Sequence, residues 1–423
     1  MARELNSTSK PAEKPVRDDT MEFGLIIRAL MRNKMGAALI ALQIALTMTI
    51  MVNAVFMMQE RNQQMERPSG VDEMNTFYLT NTIFGQDYNN QAMLEEDLRL
   101  LRSTPGVVDA MQINAIPMSG GGWSMGLQTE PGEGKDGSGV AVYMVDDHAI
   151  NTFGLTLIAG TNFAPEDIMW RASSDTRWPP KTIITKAMAE QLFGDEWQAA
   201  IGKTVYIDQN KPIEIIGMVE RLQAPWNGWS GVERAMLVPY KMENNGGRYF
   251  IRTEEGQRDQ LMPIIEKALA ESDKNRIIRR VTTMEETRER SYRRHNATNK
   301  ILTTVIITLL LITGFGIVGL AMFSINRRTK QIGTRRALGA TRWQVMRYFM
   351  IENFVITSVG LLLGIAGAIG LNIWLVSTFS LAPIGAPLII LGLVSLFILG
   401  QVSVLFPASR AANISPATAT RSV

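Results

Sequence analysis

Few residues of this chain could carry out acid–base, nucleophilic or metal chemistry. Its 423 residues include no Cys, and its two His residues, His148 and His295, lie far apart in the sequence. Without thiolates there is neither a disulfide framework nor a Cys metal site. Two distant His residues do not indicate a shared metal or catalytic centre. The composition therefore predicts a chain that binds no metal or cofactor and is not itself an enzyme.

The segment Ile201–Thr204 is a partial match to a nucleotide-binding loop. A phosphate-cradling loop needs a Gly five residues before its Gly-Lys pair, so that the backbone can wrap around the phosphates. Trp197 occupies that position, and the flanking residues alternate like strands. We interpret the segment as a β-turn with an exposed Lys203.

A short basic segment lies between two apolar runs. Seven Lys and Arg residues occur between Lys300 and Glu352, a stretch that contains no acid. The positive-inside rule places such a segment on the cytoplasmic side of a membrane. Ile332, Leu338 and Trp343 interleave with the charges, which a pure topology signal does not need. We interpret the segment as a binding surface, with a role in topology alone as the alternative.

Two further properties concern turns and charge. Gly333 and Gly339 lie in the basic segment and predict breaks in helical structure where the chain must turn. The net charge is only +3 and the pI is near 9.0. These values indicate local basic clusters rather than a nucleic-acid-binding face, and no nucleic-acid partner is expected.

Uncharged runs predict four membrane-spanning helices. Residues 35–59 and 301–326 carry no charge, and each run is long enough for one span, since a bilayer core needs about 20 helical residues. The uncharged run 353–409 is long enough for two spans, separated by a turn rich in Pro and Gly at 383–387. The predicted spans are TM1 (35–59), TM2 (301–326), TM3 (349–377) and TM4 (388–406).

Polar residues inside TM1 predict contacts with other helices. Gln43 and Thr47 share one helix face, as do Thr49 and Asn53, because four residues advance a helix by about one turn. Polar residues in a membrane usually face protein rather than lipid. A helix–helix contact is our first interpretation, and a transport path is the second.

A stripe of small residues predicts close packing of TM3. Gly360 and Gly364 form a Gly-x-x-x-Gly pair, and Gly367 and Gly370 continue it. Such stripes let membrane helices approach closely. We predict that Gly360, Gly364 and Gly367 pack TM3 within its own bundle, with dimerisation as the alternative.

Residues 60–300 have soluble character and hold most of the acids, Trp and Pro. The segments 70–116 and 247–284 each have a strand–helix–strand pattern, which favours one sheet covered by helices. The segment between them, 117–246, contains short β-rich runs separated by turn residues. We predict an α/β subdomain with a mainly β insert, followed by a stalk helix at 284–300.

Loops of the insert allow two interpretations. The Gly-rich segment Met118–Gly126 is predicted to be flexible surface. Trp170, Trp178, Trp226 and Trp229 occur in loop-like segments. Aromatic side chains on loops can mark a binding surface, or they can pack the loops onto a sheet.

The ends of the chain complete the predicted topology. Residues 1–20 are polar and mixed in charge, which predicts a disordered cytoplasmic tail. Residues 21–34 have apolar side chains at helical spacing, which predicts an amphipathic interfacial helix, with a plain helical extension of TM1 as the alternative. Four spans place 60–300 outside the cytoplasm, and the basic segment at 327–348 and the tail 407–423 inside.

The basic segment resembles the cytoplasmic loop of the MacB/FtsX-like family of ABC-transporter permeases, in which this loop contacts the ATPase subunit. The family pattern runs roughly Arg-Thr-[Arg/Lys]-Glu-Ile-Gly-Ile-Arg-[Arg/Lys]-Ala-Leu-Gly-Ala, and residues 328–340 follow it without a gap. Gln331 stands where the family has Glu, and Thr334 where it has an aliphatic residue. The resemblance implies ATPase coupling by Arg328, Lys330, Gln331, Ile332, Gly333, Arg335, Arg336, Leu338, Gly339 and Ala340.

Shorter matches extend the resemblance over nearly all of residues 21–420. In the outer domain, motifs such as Phe153-Gly154-Leu155 and Leu192-Phe193-Gly194 occur in the order of the family. The C-terminal segment also resembles the family's ending, although Thr420 stands where Leu is usual. The matching residues there are Pro407, Ala408, Ala411, Pro416 and Ala419.

The resemblance implies a fold class and a function. The expected fold is an integral membrane α-helical protein with four transmembrane helices and a large α+β extracytoplasmic domain, in which a porter-like α/β subdomain carries a mainly β insert. The chain would be the permease subunit of a MacB-like ABC transporter in the bacterial inner membrane, with its large domain in the periplasm. A separate ATPase would drive motion of that domain, termed mechanotransmission, and efflux or extraction of a substrate from the periplasm or outer membrane leaflet.

The resemblance also implies partners. These are an ABC ATPase subunit that holds ATP and Mg²⁺, a second permease copy or a paralogue, and membrane lipid; a periplasmic adaptor, or membrane fusion protein, is a further candidate. Two alternative functions stay open. One is a non-transporting scaffold that regulates a cell-wall hydrolase, as FtsX does, and the other is a peptide sensor.

Overall fold

The computed structural model describes residues 34–85, 89–135, 137–379 and 383–415. The predicted tail 1–20, the predicted interfacial helix up to residue 33 and the C-terminal matches from residue 416 onward lie outside the described residues. The chain divides into two compact units. One unit comprises Met1–Asn62 with Thr298–Val423, and the other comprises Gln63–Ala297.

The secondary structure alternates strands and helices between long apolar helices. The helices are α1 (Lys34–Glu66), α2 (Asn90–Ser103), α3 (Ala149–Phe153), α4 (Lys186–Phe193), α5 (Arg258–Ser272), α6 (Met284–Arg327), α7 (Thr329–Ala337), α8 (Arg342–Phe379) and α9 (Ala386–Ala412). The strands are β1 (Thr76–Ile83), β2 (Val107–Ile113), β3 (Trp123–Gln128), β4 (Ser138–Val145), β5 (Leu157–Gly160), β6 (Met169–Arg171), β7 (Lys181–Thr185), β8 (Thr204–Ile207), β9 (Lys211–Val219), β10 (Ala235–Met242), β11 (Gly246–Thr253) and β12 (Arg276–Thr283).

Four helices among the described residues are long and apolar enough to cross a membrane: α1, α6, α8 and α9. They contain the four predicted spans TM1 to TM4, so the membrane part of the predicted fold class is confirmed. The helix α6 is a single element of 44 residues that includes both the predicted stalk and TM2. The helix α8 begins seven residues before the predicted start of TM3, because Thr341 and Gln344 cap it reciprocally. The Gln344 amide N–H donates to Thr341 Oγ1 at 3.3 Å, and the Thr341 N–H donates to Gln344 Oε1 at 2.9 Å.

The first sheet of the Gln63–Ala297 unit has four antiparallel strands in the order β12-β1-β11-β2. The two predicted strand–helix–strand segments therefore interleave in one sheet, because each crossover leaves room for a strand of the other segment. Leu98 of α2 and Ile265 of α5 pack with Phe77 and Tyr249 on one face of the sheet. The sequence pattern predicted one shared sheet, and this prediction is confirmed.

The second sheet closes on itself. Its strands pair in the order β4-β3-β8-β9-β7-β10, and β10 also pairs with β4. The interior is filled by side chains that alternate along the strands, such as Val140, Val142 and Met144 of β4. The intervening residues Ala141 and Tyr143 belong to the core that includes Phe250. The insert is mainly β, as predicted, but the strand runs did not indicate that they close into a ring.

The predicted flexible surface at Met118–Gly126 is wrong at both ends of the segment. The side chain of Met118 is buried in the core. Residues Trp123–Gln128 form β3, which pairs with β4 and β8 inside the ring. Glycine content predicted a loop here, but the pairing partners on both sides make this segment a strand.

The aromatic residues of the loops pack onto the sheets. Trp226 and Trp229 pack against the core that contains Tyr143, and Trp178 stacks on Trp123 with ring centroids 5.3 Å apart. Gly231 gives space for the Trp229 ring, since an added Cβ would lie 2.6 Å from it. These contacts favour the packing interpretation over a binding surface.

Candidate functional site

The basic segment folds into a short helix between two long ones. The helix α7 buries Ile332 and Gly333 on one side. Ile332 packs with Ile325 of α6, Val345 and Phe349 of α8, together with small residues of α9. Those residues of α9 are Ala408, Ala411 and Ala412. The ends of three membrane helices therefore hold α7 in one orientation.

Gly333 does not break the helix, contrary to the sequence prediction. It lies inside α7 and is buried beside Ile332. A Gly inside a helix costs only about 1 kcal/mol relative to Ala, and packing of the buried face against the membrane helices offsets such a cost.

Gly339 ends the helix, as predicted. Its φ angle of 95° lies in the left-handed region that favours Gly. The Ala340 N–H donates to the carbonyl of Arg335 at 3.0 Å, and the Gly339 N–H donates to that of Arg336 at 3.2 Å. These are the two hydrogen bonds of a Schellman motif. This end of the helix therefore sets the direction in which Leu338 leaves it.

An ion pair ties the start of α7 to α8. The Arg328 guanidinium donates to both carboxylate oxygens of Glu352, at 3.2 and 3.0 Å. Both side chains are largely buried. The ring of Tyr348 lies between two cations, since Arg328 is 3.4 Å from its hydroxyl and the Arg335 guanidinium is 5.4 Å from its centroid. Position 328 is therefore a structural anchor rather than part of an outward surface.

The opposite side of α7 and most of the residues that follow it, from Leu338 to Trp343 at the start of α8, are exposed. Leu338 is 83% exposed and Trp343 is 65% exposed, among exposed cations. Large apolar side chains at this level of exposure, surrounded by polar residues, are typical of protein-binding surfaces. We call this set the cytoplasmic surface. It consists of Lys330, Gln331, Arg335, Leu338, Gly339, Arg342 and Trp343.

The ten residues predicted from the family loop therefore separate into groups. Arg328, Ile332 and Gly333 face the membrane helices, and Arg336 and Ala340 are half-buried. The remaining predicted residues belong to the cytoplasmic surface: Lys330, Gln331, Arg335, Leu338 and Gly339. The sequence prediction did not include Glu352 or Tyr348 as site residues. One signal could have found them, because Glu352 is the sole acid near the start of TM3 and lies one helical turn after Tyr348.

The glycine stripe of α8 packs against α1. A Cβ added at Gly360 would lie 2.8 Å from the carbonyl oxygen of Ala41, and one at Gly364 would lie 2.6 Å from Met48 Cβ. A Cβ at Gly367 would meet the hydroxyl of Thr49. These glycines thus allow close contact of two helices of the same chain.

The polar residues of α1 also contact neighbouring helices. Gln43 donates to the Ile312 carbonyl of α6 at 2.9 Å. The hydroxyls of Thr47 and Thr313 lie 2.8 Å apart. On the other face, Thr49 and Asn53 donate to carbonyl oxygens of α8 at 3.3 and 3.2 Å. The helix–helix interpretation is confirmed.

The outer unit contains a polar cluster around Asp109. His148 Nδ1 lies 2.8 Å from Asp109 Oδ1, and Asn151 donates to Asp109 Oδ2 at 2.8 Å. Arg102 pairs with buried Asp146 at 2.8 Å. The hydrogen bond to Asp109 raises the pKa of His148, although burial opposes it. Burial acts to raise the pKa of Asp109. The hydrogen bonds that its carboxylate accepts from His148 and Asn151 lower the pKa by more, so the pKa of Asp109 lies below its ordinary value. Burial raises the pKa of Asp146.

Two family models match the chain in the regions just described. The model of the MacB-like periplasmic core domain matches residues 37–268, and that of the FtsX-like permease C-terminal domain matches residues 303–416. The second match includes α7 and the cytoplasmic surface.

Curated relatives show the same similarity. The macrolide export ATP-binding/permease protein MacB of Campylobacter jejuni is 27% identical over 310 residues, which cover 67% of this chain and 46% of the relative. The uncharacterized ABC transporter permease YknZ of Bacillus subtilis is 26% identical over 295 residues, which cover 66% of this chain and 68% of the relative. The chain thus spans about half the length of the MacB relatives.

Solved structures of outer domains also resemble the chain. The extracellular domain of YknZ from Gram-positive bacteria has 19% identity and a TM-score of 0.31, and covers 48% of this chain and 100% of that chain. The periplasmic region of MacB from Actinobacillus actinomycetemcomitans has 13% identity and a TM-score of 0.33, and covers 53% and 94%. Because one family model matches more than half of the sequence, the chain belongs to the MacB/FtsX-like family of ABC-transporter permeases, as a multi-pass inner-membrane protein with a periplasmic domain.

Proposed function

We propose that the chain is the permease subunit of a MacB-like transporter whose ATPase is a separate subunit. ATP and Mg²⁺ would bind to that ATPase and not to this chain. Hydrolysis would move the periplasmic domain and thereby drive efflux or extraction of a substrate from the periplasm or the outer membrane leaflet. The active form would contain a second permease, either a copy or a paralogue. A periplasmic adaptor is a further candidate partner.

The observation that carries this proposal is the exposure of Leu338 and Trp343 within the cytoplasmic surface. An exposed Leu on a short basic helix is costly to leave in water, since burial of a Leu side chain is worth about 1.5–3 kcal/mol. A docking ATPase would cover it. The cations around Leu338 would orient the docking ATPase and speed its association with this chain, if the ATPase surface carries the complementary negative charge.

Two features support transmission of force from this surface. Ile332 and the Arg328–Glu352 pair fix α7 to the ends of α6, α8 and α9. The helix α6 then continues without interruption from Arg327 back to Met284. A load applied to α7 would move these helices as packed elements, because packed interfaces shift between discrete arrangements rather than deform continuously.

Substitution of Leu338 tests the docking surface. The tagged full-length chain is purified from its native membranes, and the co-purified ATPase is identified and quantified by mass spectrometry. Leu338→Asp should abolish co-purification, because it places a charge in the apolar centre of the contact. Ile264→Asp is the matched control, since Ile264 is also exposed but lies on α5 of the outer unit. Unchanged recovery of the ATPase with Leu338→Asp would refute the docking role.

A second measurement separates transport from the alternatives. If the chain is a transporter, cells that carry Leu338→Asp should lose efflux or extraction of the substrate while dividing normally. A division defect with unchanged efflux would instead favour the scaffold that regulates a cell-wall hydrolase. A changed response to external peptide with neither defect would favour the peptide sensor.

A further inference from the structure

The cytoplasmic half of the membrane unit contains a partly open cavity between its helices. Ala37 of α1, Ala321 and Ser324 of α6, and Phe349 and Glu352 of α8 contribute to its walls. These residues lie at the cytoplasmic ends of their helices, as the positions of Lys34, Arg327 and Arg342 show. The cavity is therefore at the depth of the inner lipid leaflet.

The walls are apolar apart from a few side chains. The carboxylate of Glu352 is paired with Arg328 at 3.0 Å, so the negative charge in the wall is neutralised. Asn353, which also lines the cavity, donates to the Gly400 carbonyl at 2.9 Å. A space with such walls suits a hydrocarbon chain better than a polar solute, because a polar solute would give up its hydrogen bonds to water without replacement.

Two cations lie one helical turn from residues of the cavity wall, toward the cytoplasmic ends of α1 and α6. Lys34 lies three residues before Ala37, and Arg327 lies three residues after Ser324, so each shares a helix face with a wall residue. The Arg327 guanidinium lies 5.5 Å from the ring centroid of Phe323. The aliphatic part of the Arg327 side chain therefore runs along the surface of the helix. Over the residues for which side chains are described, neither Lys34 nor Arg327 has a carboxylate within 4.0 Å. An anion at this level would therefore find positive charge on both α1 and α6.

We propose that this cavity binds one anionic phospholipid of the cytoplasmic leaflet. One acyl chain would occupy the apolar space beside Ala321, and the headgroup phosphate would lie between Lys34 and Arg327. Basic pockets between membrane helices on the cytoplasmic side are suited to such headgroups, since Lys and Arg near the membrane surface attract anionic lipid. The charge complementarity selects an anionic lipid over a zwitterionic one. This site is independent of the proposed ATPase docking.

The test counts lipids that remain bound to the full-length chain in native mass spectrometry. The protein is incubated in detergent with phosphatidylglycerol or with phosphatidylcholine. The wild type should retain one phosphatidylglycerol and bind phosphatidylcholine roughly thirtyfold less tightly, because each of the two cations favours a headgroup with net negative charge by about fivefold, whereas choline balances the phosphate charge of phosphatidylcholine. The double variant Lys34→Gln/Arg327→Gln should lose this preference, and Ala321→Phe should lose binding of both lipids.

Two control variants keep the test specific. Arg410→Gln removes an exposed cation of α9 at the same membrane side, which neither lines the cavity nor belongs to the cytoplasmic surface. Gly319→Phe adds the same ring as Ala321→Phe on the same helix, at a position where an added Cβ meets no atom within 4 Å. Both controls should bind like the wild type. Equal binding of the two lipids by the wild type, or equal loss in variants and controls, would overturn the proposal. A dimer that excludes lipid from Ala321 would also overturn it.

Discussion

Arg328 and Glu352 lie 24 residues apart in the sequence, and the guanidinium of one donates to both carboxylate oxygens of the other. Arg328 belongs to the basic segment, whereas Glu352 begins the apolar part of α8. Their pairing joins the segment that faces the cytoplasm to a membrane helix. The orientation of the cytoplasmic surface depends on this contact.

Removal of one partner of this pair should destabilise the membrane unit. Glu352→Ala leaves a largely buried guanidinium without its partner, which typically costs roughly 3 kcal/mol or more. Replacement of both partners by apolar residues, as in Arg328→Met/Glu352→Leu, should cost less, because no charge stays buried. Thermal unfolding in detergent of the wild type, Arg328→Met, Glu352→Leu and the double variant measures the coupling. If the double variant is as unstable as the sum of the single variants, the two residues do not act as a pair.

The glycine stripe provides a matched comparison along one helix. Gly364→Ala should destabilise the chain by roughly 1–3 kcal/mol, because the new methyl group would overlap Met48 of α1. Gly370→Ala should leave stability unchanged or slightly raise it, since an added Cβ there meets no atom within 4 Å and Ala favours helix more than Gly does. The unfolding temperature in detergent distinguishes the two substitutions. Equal effects would show that Gly364 does not mediate close packing.

The end of α7 should control the presentation of Leu338. Gly339→Ala forces a residue with a Cβ into the left-handed region, which costs about 1–2 kcal/mol. We therefore expect weaker co-purification of the ATPase, but less loss than with Leu338→Asp. Gly339→Asn is the conservative control, because Asn tolerates this conformation better than Ala. If the Asn variant recruits as poorly as the Ala variant, backbone conformation is not the cause.

The pair of His148 and Asp109 should make the stability of the outer unit depend on pH. The pKa of His148 is raised above its ordinary value of 6.5 in the folded chain. A protonated His148 therefore favours the folded state, fully below about pH 6.5, and this contribution is lost as pH rises through the raised pKa. The lowered pKa of Asp109 acts oppositely, so its contribution is lost only in acid, as pH falls through that pKa.

The comparison of wild type with His148→Gln isolates this contribution. The unfolding temperature of the wild type should exceed that of the variant, and this difference should be larger at pH 6 than at pH 8.5. Arg102 and Asp146 also face His148 and remain the same in both proteins. A difference that is constant over this range would show that His148 does not titrate with folding.

Local patterns determined the class of this protein. Uncharged runs of 25 and 26 residues require helices in a membrane, and α1 and α6 contain those runs. The strand–helix–strand patterns of 70–116 and 247–284 predicted the order of elements that the structure has there, namely β1, α2 and β2 and then β11, α5 and β12. The basic motif at 328–340 was sufficient to indicate the family, because it is long and has no gaps. Each of these signals resides in residues that are neighbours in the chain.

The tertiary structure decided how the located elements face one another. The sequence could not separate Ile332, which packs inward, from Leu338, which points outward, because both are apolar residues among cations. It could not choose Arg328 among seven nearby cations as the partner of Glu352, or close the ring by pairing β10 with β4. Such choices depend on contacts between residues that are dozens of positions apart, and short-range periodicity contains no information about which distant surfaces meet. The sequence by itself therefore determined the spans, the class of the outer domain and the family, whereas packing alone decided which residues form the cytoplasmic surface.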